Sequence, residues 1–190
     1  MLSAVLIVVA IVAAAFAARY EDAGPPQTRR EWVRIVAYWV FTIPVAFEMA
    51  AGGIWDLLRI EYVRVVLSHL GYPLYLLYIF GIPKIPCALV LLLPRFPRLK
   101  EWAYAGAFFN YAGAAASHLL VGDAAAAWLA PLALSAFTIA SWSLRPAGRK
   151  LEKAMPAIET GVVPWTVPVL ITIAMLVVAF VTLPKGAPPQ

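Results

Sequence analysis

Residues 72–94 read YPLYLLYIFGIPKIPCALVLLLP, and Lys84 is the one charged residue in this apolar run. The run is longer than the roughly 20 residues that a helix needs to cross the hydrocarbon core of a membrane. Across the chain, 63% of the residues are hydrophobic and 13% are charged, which a soluble fold of 190 residues could not bury. Because the apolar runs are continuous and do not alternate with polar residues, the sequence predicts an all-α integral membrane protein.

The chain contains six apolar segments, each close to the length of one membrane span. The first segment could alternatively be a signal peptide, because Ala15-Phe16-Ala17 fits a small-residue cleavage site. It lacks a preceding positive region, so we interpret it as a retained span. The segments cover residues 2–18, 35–55, 71–94, 102–121, 124–144 and 162–183.

Basic residues fall mainly in the connections between these segments. Under the positive-inside rule, this distribution predicts a multi-pass cell-membrane protein with six spans and both termini outside. The formal net charge of +5 would suggest a nucleic-acid partner in a soluble protein, but here the topology explains it and no nucleic acid is expected. The basic residues predicted to be cytoplasmic are Arg19, Arg29, Arg30, Arg34, Arg95, Arg98, Lys100, Arg145, Arg149, Lys150 and Lys153.

Two polar stretches, 19–31 and 145–160, are predicted to be cytoplasmic linkers because they combine charges with proline or glycine. They separate a four-helix unit from one accessory helix on each side. The predicted domains are therefore an N-terminal transmembrane helix with its linker at 1–31, a four-helix membrane core at 32–144, and a linker with a C-terminal transmembrane helix at 145–190.

Glu48 and Lys84 are the two charges that fall well inside predicted spans. A charge at the bilayer centre is costly, so the two side chains are predicted to form an interior ion pair or to share a hydrogen-bond network. Pro83, Pro86 and Gly81 are predicted to bend the backbone and to free carbonyl groups for the ammonium. The pair could pin two helices together, or it could line a cavity that handles a substrate or a proton.

The fourth segment carries polar residues at helical spacing. Tyr104, Tyr111 and His118 recur every seven residues and share one helical face, while Asn110 and Ser117 form the adjoining stripe. This polar seam is predicted to contribute to substrate binding, with simple interhelical hydrogen bonding as the alternative.

Other residues near these segments have plainer interpretations. Gly106, Gly113 and Ala114 to Ala116 are predicted to allow close helix approach. Tyr78 belongs to a tyrosine series near an outer end, where it suits either the membrane interface or the mouth of a ligand pocket. The acidic, basic and histidine residues of the outer loop are predicted to form a solvated surface, with a catalytic set as the alternative; these residues are Asp56, Arg59, Glu61, Arg64 and His69.

Metal sites are not expected from this sequence. The single cysteine, Cys87, excludes a multi-cysteine site and an internal disulfide. His69 and His118 could ligate a haem together only if the outer loops brought them close, and this arrangement is not favoured.

Residues from about 35 to 144 resemble the DoxX-like family of small four-helix membrane proteins. The resemblance implies a four-helix core with Glu48 and Lys84 facing its interior. Similar sequences often carry aspartate at the position of Asn110, and the amide weakens any acid–base role there. The resemblance rests on Glu48 with Gly52-Gly53, Leu70-Gly71-Tyr72-Pro73, Gly81-Ile82-Pro83-Lys84, Leu99-Lys100-Glu101-Trp102-Ala103-Tyr104-Ala105-Gly106, Gly113-Ala114 and Ser117-His118.

Relatives of this type are associated with quinone-linked oxidation, with redox assemblies or with assembly of other membrane proteins. The first hypothesis is therefore a quinone- or lipid-linked redox component in which Lys84 stabilises negative charge on an oxygen and Glu48 holds it or relays a proton. The alternative is a non-enzymatic membrane partner or assembly protein, alone or as a homo-oligomer, whose Glu48–Lys84 pair is structural. A small-solute transporter is the third hypothesis, although the inverted repeat common in transporters is not visible.

Overall fold

A computed structural model describes residues 28–94, 96–146, 149–151 and 170–177, and every regular element among them is a helix. The chain divides into two units, residues 1–151 and 152–190. Within the second unit, the described residues 170–177 are helical and exposed. The predicted first span at 2–18 lies outside the described residues. The helices of the first unit are α1 (Arg29–Leu58), α2 (Glu61–His69), α3 (Leu76–Leu92), α4 (Pro97–Leu120) and α5 (Ala125–Leu144).

Helix α1 has a well-defined start and end. The Thr28 hydroxyl accepts a hydrogen bond from the Glu31 amide at 3.2 Å, and the Glu31 carboxylate accepts one from the Thr28 amide at 3.3 Å. This reciprocal capping box satisfies two amide groups that have no partner within the helix. The helix ends where Arg59 adopts a left-handed backbone with φ of 49°. Its 30 residues make α1 longer than the predicted segment at 35–55.

The connection after α1, predicted as an outer loop with a solvated surface, is partly helical. It contains α2, a short helix none of whose residues is buried. Helix α3 then begins at Leu76 and not at residue 71, because Gly71 has a positive φ of 77° and Pro73 lies outside the helix. Pro83 and Pro86 both lie within α3, which runs without interruption through them.

The helices pack around α1. Helices α3 and α5 both contact α1, and α4 contacts α5 and α3, so that four helices enclose one core. The main cluster of buried apolar residues comes from α1, α3 and α4: Val45, Met49, Ala88, Leu91, Ala103, Tyr104, Ala107 and Tyr111.

Helices α1 and α3 cross at two glycines. A Cβ on Gly53 would lie 3.2 Å from the Gly81 carbonyl oxygen, and a Cβ on Gly81 would lie 3.1 Å from the Gly53 carbonyl oxygen. The two backbones therefore meet at a distance at which a side chain on either glycine would force a neighbouring group to shift. The predicted role of Gly106 and Gly113 in close helix approach is wrong, since nothing lies within 4 Å of a Cβ on either residue.

Two buried cations hold the end of the bundle where α3 finishes, which we call the basic end. Lys100 of α4 is 0% exposed and Arg149 is 3% exposed. Both donate hydrogen bonds to carbonyl groups at the end of α3, which have no amide partners in the helix itself. These cations were predicted only as cytoplasmic loop charges, but the structure uses them to cap a helix. Lys100 Nζ bonds the carbonyls of Val90, Leu91 and Leu93, and Arg149 Nη1 bonds those of Leu91, Leu92 and Leu93.

Two of the described helices, α1 and α5, are long and apolar enough to cross a membrane, and α3 is a shorter apolar helix. Large apolar side chains also cover the outside: Trp102 is 77% exposed, Phe109 70% and Leu120 87%. Water would be an unfavourable neighbour for so much apolar surface, whereas lipid would not. The arrangement of six spans with both termini outside stays a prediction.

Candidate ligand-binding cavity

The ammonium group of Lys84 forms an ion pair with Asp56. Lys84 Nζ lies 2.9 Å from Asp56 Oδ2, and the two side chains are 13% and 8% exposed. Asp56 belongs to the last turn of α1, and Lys84 lies midway along α3. The pair therefore joins the two helices in a largely buried position.

The predicted ion pair between Lys84 and Glu48 is wrong, and the helix crossing explains why. A Cβ on Gly53 would lie 3.0 Å from Lys84 Cβ, so Lys84 is level with Gly53. At about 1.5 Å per residue, Asp56 is roughly 4.5 Å along α1 from that level and Glu48 is roughly 7.5 Å away in the other direction. The ammonium therefore reaches Asp56 first. Its predicted bonding to freed α3 carbonyls is also not seen among the described residues.

Glu48 nevertheless lies close to this ion pair. A Cβ on Gly52 would lie 2.5 Å from Glu48 Oε1 and 3.5 Å from Lys84 Nζ, so both atoms face the space that this glycine leaves open. Glu48 Oε2 is buried and has no hydrogen-bond partner. The Tyr111 hydroxyl lies beside this carboxylate and donates to the Val45 carbonyl at 3.1 Å. Two carboxylates thus flank one lysine.

A cavity of about 550 Å³ lies between α3 and α4, and Lys84 forms part of its wall. This volume is within the range of small-molecule sites. Asn110 also lines the cavity, which brings together two of the residues predicted from the sequence. The lining residues are Met49, Phe80, Pro83, Lys84, Pro86, Cys87, Val90, Leu99, Trp102, Ala103, Gly106, Phe109 and Asn110.

The chemistry of this cavity is mostly apolar with a few polar groups. Lys84 and Asn110 can both donate hydrogen bonds to an oxygen acceptor, and the positive charge of Lys84 can stabilise negative charge on that oxygen. The Cys87 thiol, one turn further along α3, donates to the Ala103 carbonyl at 3.4 Å. The arrangement suits a lipophilic molecule that carries one polar group.

The polar seam predicted along α4 does not form one site. The Tyr104 hydroxyl lies 2.8 Å from Ser141 Oγ, which lies 2.6 Å from Thr42 Oγ1, so this residue belongs to a buried interhelical network. Tyr111 bonds to α1 as described above. Both tyrosines therefore support the alternative interpretation, interhelical hydrogen bonding, in the contacts that the structure shows.

Ser117 and His118 lie at the opposite end of α4, which we call the histidine end. Ser117 Oγ is 2.9 Å from the Tyr72 hydroxyl. His118 Nδ1 lies 2.6 Å from Asp123 Oδ2, and His69 Nε2 lies 2.7 Å from Asp123 Oδ1. The two histidines are thus joined by one carboxylate. Among the described residues, no group of three or more His, Cys, Asp and Glu could hold a metal ion.

Tyr78 lies outside the cavity wall. Its side chain is 43% exposed, and the guanidinium of Arg59 lies over its ring at 5.7 Å from the centroid. This position agrees with an interfacial tyrosine, and no described contact links it to Lys84 or Asn110.

The hydrogen bonds from His118 and His69 lower the pKa of Asp123 below its usual value of 3.8. A carboxyl group whose pKa is lowered by folding stabilises the fold at higher pH and loses this effect as the pH falls through its folded value. We therefore expect Asp123→Asn to lower the melting temperature near neutral pH, and the difference from wild type to shrink below about pH 3.8. Thermal unfolding in detergent across this range measures it. A difference that is constant with pH would contradict the prediction.

Sequence reasoning missed several residues that shape the cavity and its surroundings. Asp56 was assigned to a solvated loop, although it follows Glu48 and Gly52 at four-residue spacing and so shares their face of α1. That spacing was the signal that could have identified it. Cys87 and Trp102 carried no comparable signal, because their place in the wall depends on how α3 and α4 pack.

The family comparison agrees with this architecture. The sequence model of the DoxX-like family matches residues 40–141. This range includes the Lys84–Asp56 pair and the whole of α3 and α4. No curated protein and no solved structure matches the chain. The match covers more than half of the sequence and points to a membrane protein. The chain therefore belongs to the DoxX-like family.

Proposed function

We propose that this membrane protein binds a lipophilic small molecule with an oxygen acceptor, a quinone being the leading candidate, in the cavity between α3 and α4. The observation that carries the proposal is a lysine ammonium that lines an otherwise mainly apolar cavity of about 550 Å³. An ionisable side chain within a membrane segment is costly to bury. Such residues usually face the interior of the bundle and mark functional sites.

Lys84 has the hydrogen-bonding capacity that this role needs. An ammonium group has three donors, and one of them is directed at Asp56 at 2.9 Å. The remaining donors, together with the amide of Asn110, would bind a carbonyl oxygen of the ligand. The positive charge would favour a reduced, more negative oxygen, and Glu48 would hold the lysine or exchange a proton.

The proposal includes the six-span topology with both termini outside. The match to the DoxX-like family supports a four-helix core, and the predicted domains at 1–31, 32–144 and 145–190 place one span on each side of it. In this orientation the basic end would face the cytoplasm, as the positive-inside rule requires. Membrane lipid would cover the exposed apolar surface.

Fluorescence quenching tests the binding function. Trp102 lines the cavity, and a bound quinone should quench its emission through close contact. We expect a long-chain quinone to quench full-length protein in nanodiscs saturably, and Lys84→Met to weaken the apparent affinity about tenfold or more, as the loss of a charged hydrogen bond predicts. Asn110→Leu provides a second cavity variant if Lys84→Met does not fold.

Tyr78→Phe is the matched control, since Tyr78 lies outside the cavity wall and its hydroxyl should not affect binding. Quenching that never saturates, or that is equal in wild type, Lys84→Met and Asn110→Leu, would refute ligand binding in this cavity.

One observation favours the second candidate function, a non-enzymatic membrane partner. The Lys84–Asp56 pair ties α1 to α3 beside the glycine crossing and so has a structural role whether or not a ligand binds. If the cavity variants lower thermal stability and leave quinone quenching unchanged, the pair is architectural. In that case, a stoichiometric membrane-protein companion should accompany the protein through mild-detergent purification.

A further inference from the structure

We infer that the ligand of this cavity has an uncharged polar head on a hydrocarbon chain, with the head at Lys84 and the chain running toward the basic end. The inference rests on the proposed function, which requires only that a lipophilic molecule with an oxygen acceptor binds. It narrows that class to chain molecules whose head is neutral when bound, and it excludes molecules whose head stays ionised, such as phospholipids.

The polar groups lie at one end of the cavity. Helices α3 and α4 are consecutive and antiparallel, and the bond from Cys87 Sγ to the Ala103 carbonyl at 3.4 Å sets their register. From that level, Lys84 and Asn110 both lie toward the histidine end. The other end of the cavity is apolar and is lined by Val90, Leu99 and Trp102. Along α4, the wall from Leu99 to Asn110 extends for roughly 16 Å.

The depth of the polar end selects the kind of head group. Lys84 lies midway along α3, with an apolar half of this helix on each side of it. A phospholipid keeps its charged head at the membrane surface, because removing a charge from water is unfavourable. A neutral carbonyl group can be buried at this depth if it receives hydrogen bonds, which Lys84 and Asn110 supply.

The charges around Lys84 also disfavour an anionic head. Asp56 pairs with the ammonium at 2.9 Å, and Glu48 Oε1 faces the same space beside Gly52. Two acidic side chains therefore accompany one basic side chain. A carboxylate or phosphate head would compete with these two acidic side chains for one ammonium group, whereas a neutral acceptor would not.

The cavity is open to the surroundings along its length, including the side toward the basic end. Leu99 is 45% exposed and Trp102 is 77% exposed, although both line the cavity. A hydrocarbon chain of the ligand that follows this wall would leave the cavity between α3 and α4 and continue into lipid. The cavity volume therefore limits the size of the ligand's head but not the length of its hydrocarbon chain.

Alkylation of Cys87 tests the head group. Cys87 is the single cysteine of the chain and lines the cavity, so a lipophilic maleimide should label it and an occupant should slow the labelling. The probes are a fully substituted benzoquinone, which has no ring position for thiol addition, on a decyl chain, and a sulfonic acid, which stays ionised, on the same chain. In nanodiscs of full-length protein, we expect the quinone to slow labelling about fivefold or more at saturation and the acid to have no effect, because its charge would have to leave water.

Terminal bromination of the decyl chain tests the direction. The bromines should add quenching of tryptophan fluorescence. This added quenching should disappear in Trp102→Phe, because Trp102 lies at the apolar end of the cavity, and should persist in Trp55→Phe, because Trp55 lies near Asp56. Equal protection by the acid, or added quenching that disappears in Trp55→Phe and persists in Trp102→Phe, would overturn the inference and leave ligand binding intact. If neither compound slows labelling, the proposed function itself fails.

Discussion

Lys84→Met is expected to lower the free energy of unfolding by about 3–5 kcal/mol, the usual loss when one partner of a buried ion pair is removed. The side chains of Lys84 and Asp56 are 13% and 8% exposed, so water would replace the lost ammonium poorly. The substitution leaves the Asp56 carboxylate unpaired and also removes the one positive charge beside Glu48. Methionine fills a similar volume, so the loss reports on charge and not on packing.

The measurement is reversible unfolding of the full-length protein in mixed micelles, followed by tryptophan fluorescence. Asp56→Asn is the matched variant, and its loss should be smaller because Glu48 is still available to Lys84. The double variant Lys84→Met with Asp56→Asn should recover part of the loss, since it removes both charges. A loss below about 1 kcal/mol for Lys84→Met would show that the pair behaves as an exposed surface ion pair, contrary to this structure.

Gly53→Val is expected to destabilise the protein by about 1–3 kcal/mol or more, because overpacking forces neighbouring groups apart. Its Cβ would lie 3.0 Å from Lys84 Cβ and 3.2 Å from the backbone carbonyl oxygen of Gly81, which cannot move without moving α3. Helix α3 should shift away from α1, and the Lys84–Asp56 pair should weaken with it. The same variant should therefore also reduce quinone quenching.

Gly113→Ala is the control for this prediction. Nothing lies within 4 Å of a Cβ on Gly113, which is in the middle of α4. Alanine favours a helix by about 1 kcal/mol over glycine, so this variant should be neutral or stabilising. Equal destabilisation by Gly53→Val and Gly113→Ala would mean that the α1–α3 crossing is not where the helices meet most closely.

The helices of the core could be predicted because apolar runs of membrane length leave few alternatives. The need of Lys84 for a carboxylate was also predictable, since an unpaired charge in such a run is costly. The identity of the partner was not. Depth counted from the chain's basic residues favoured Glu48, but the contact at Gly53 and Gly81 sets the level of Lys84, and that contact depends on tertiary packing.

Other differences have similar physical causes. Helix α2 was missed because a nine-residue helix without buried residues leaves no long apolar run in the sequence. The role of Lys100 was missed because its partners are backbone carbonyls, which no residue pattern reveals. Asn110 lies in the cavity because it is on the face of α4 toward α3, which only the packed structure shows. Tyr104 and Tyr111 looked similar in sequence but face other helices.

The attachments of α4 to the rest of the bundle bear on how tightly a ligand could be held. At the basic end, Lys100 fixes the start of α4 to the last carbonyls of α3. At the histidine end, Ser117 bonds to Tyr72, and Asp123 bonds to His69. Tyr72 and His69 belong to the segment before α3, so α4 is attached near both of its ends to the chain that forms the other wall. These attachments would limit how far the two walls can separate, so binding would lose less conformational entropy in the protein and a few polar contacts to the ligand would translate more efficiently into affinity.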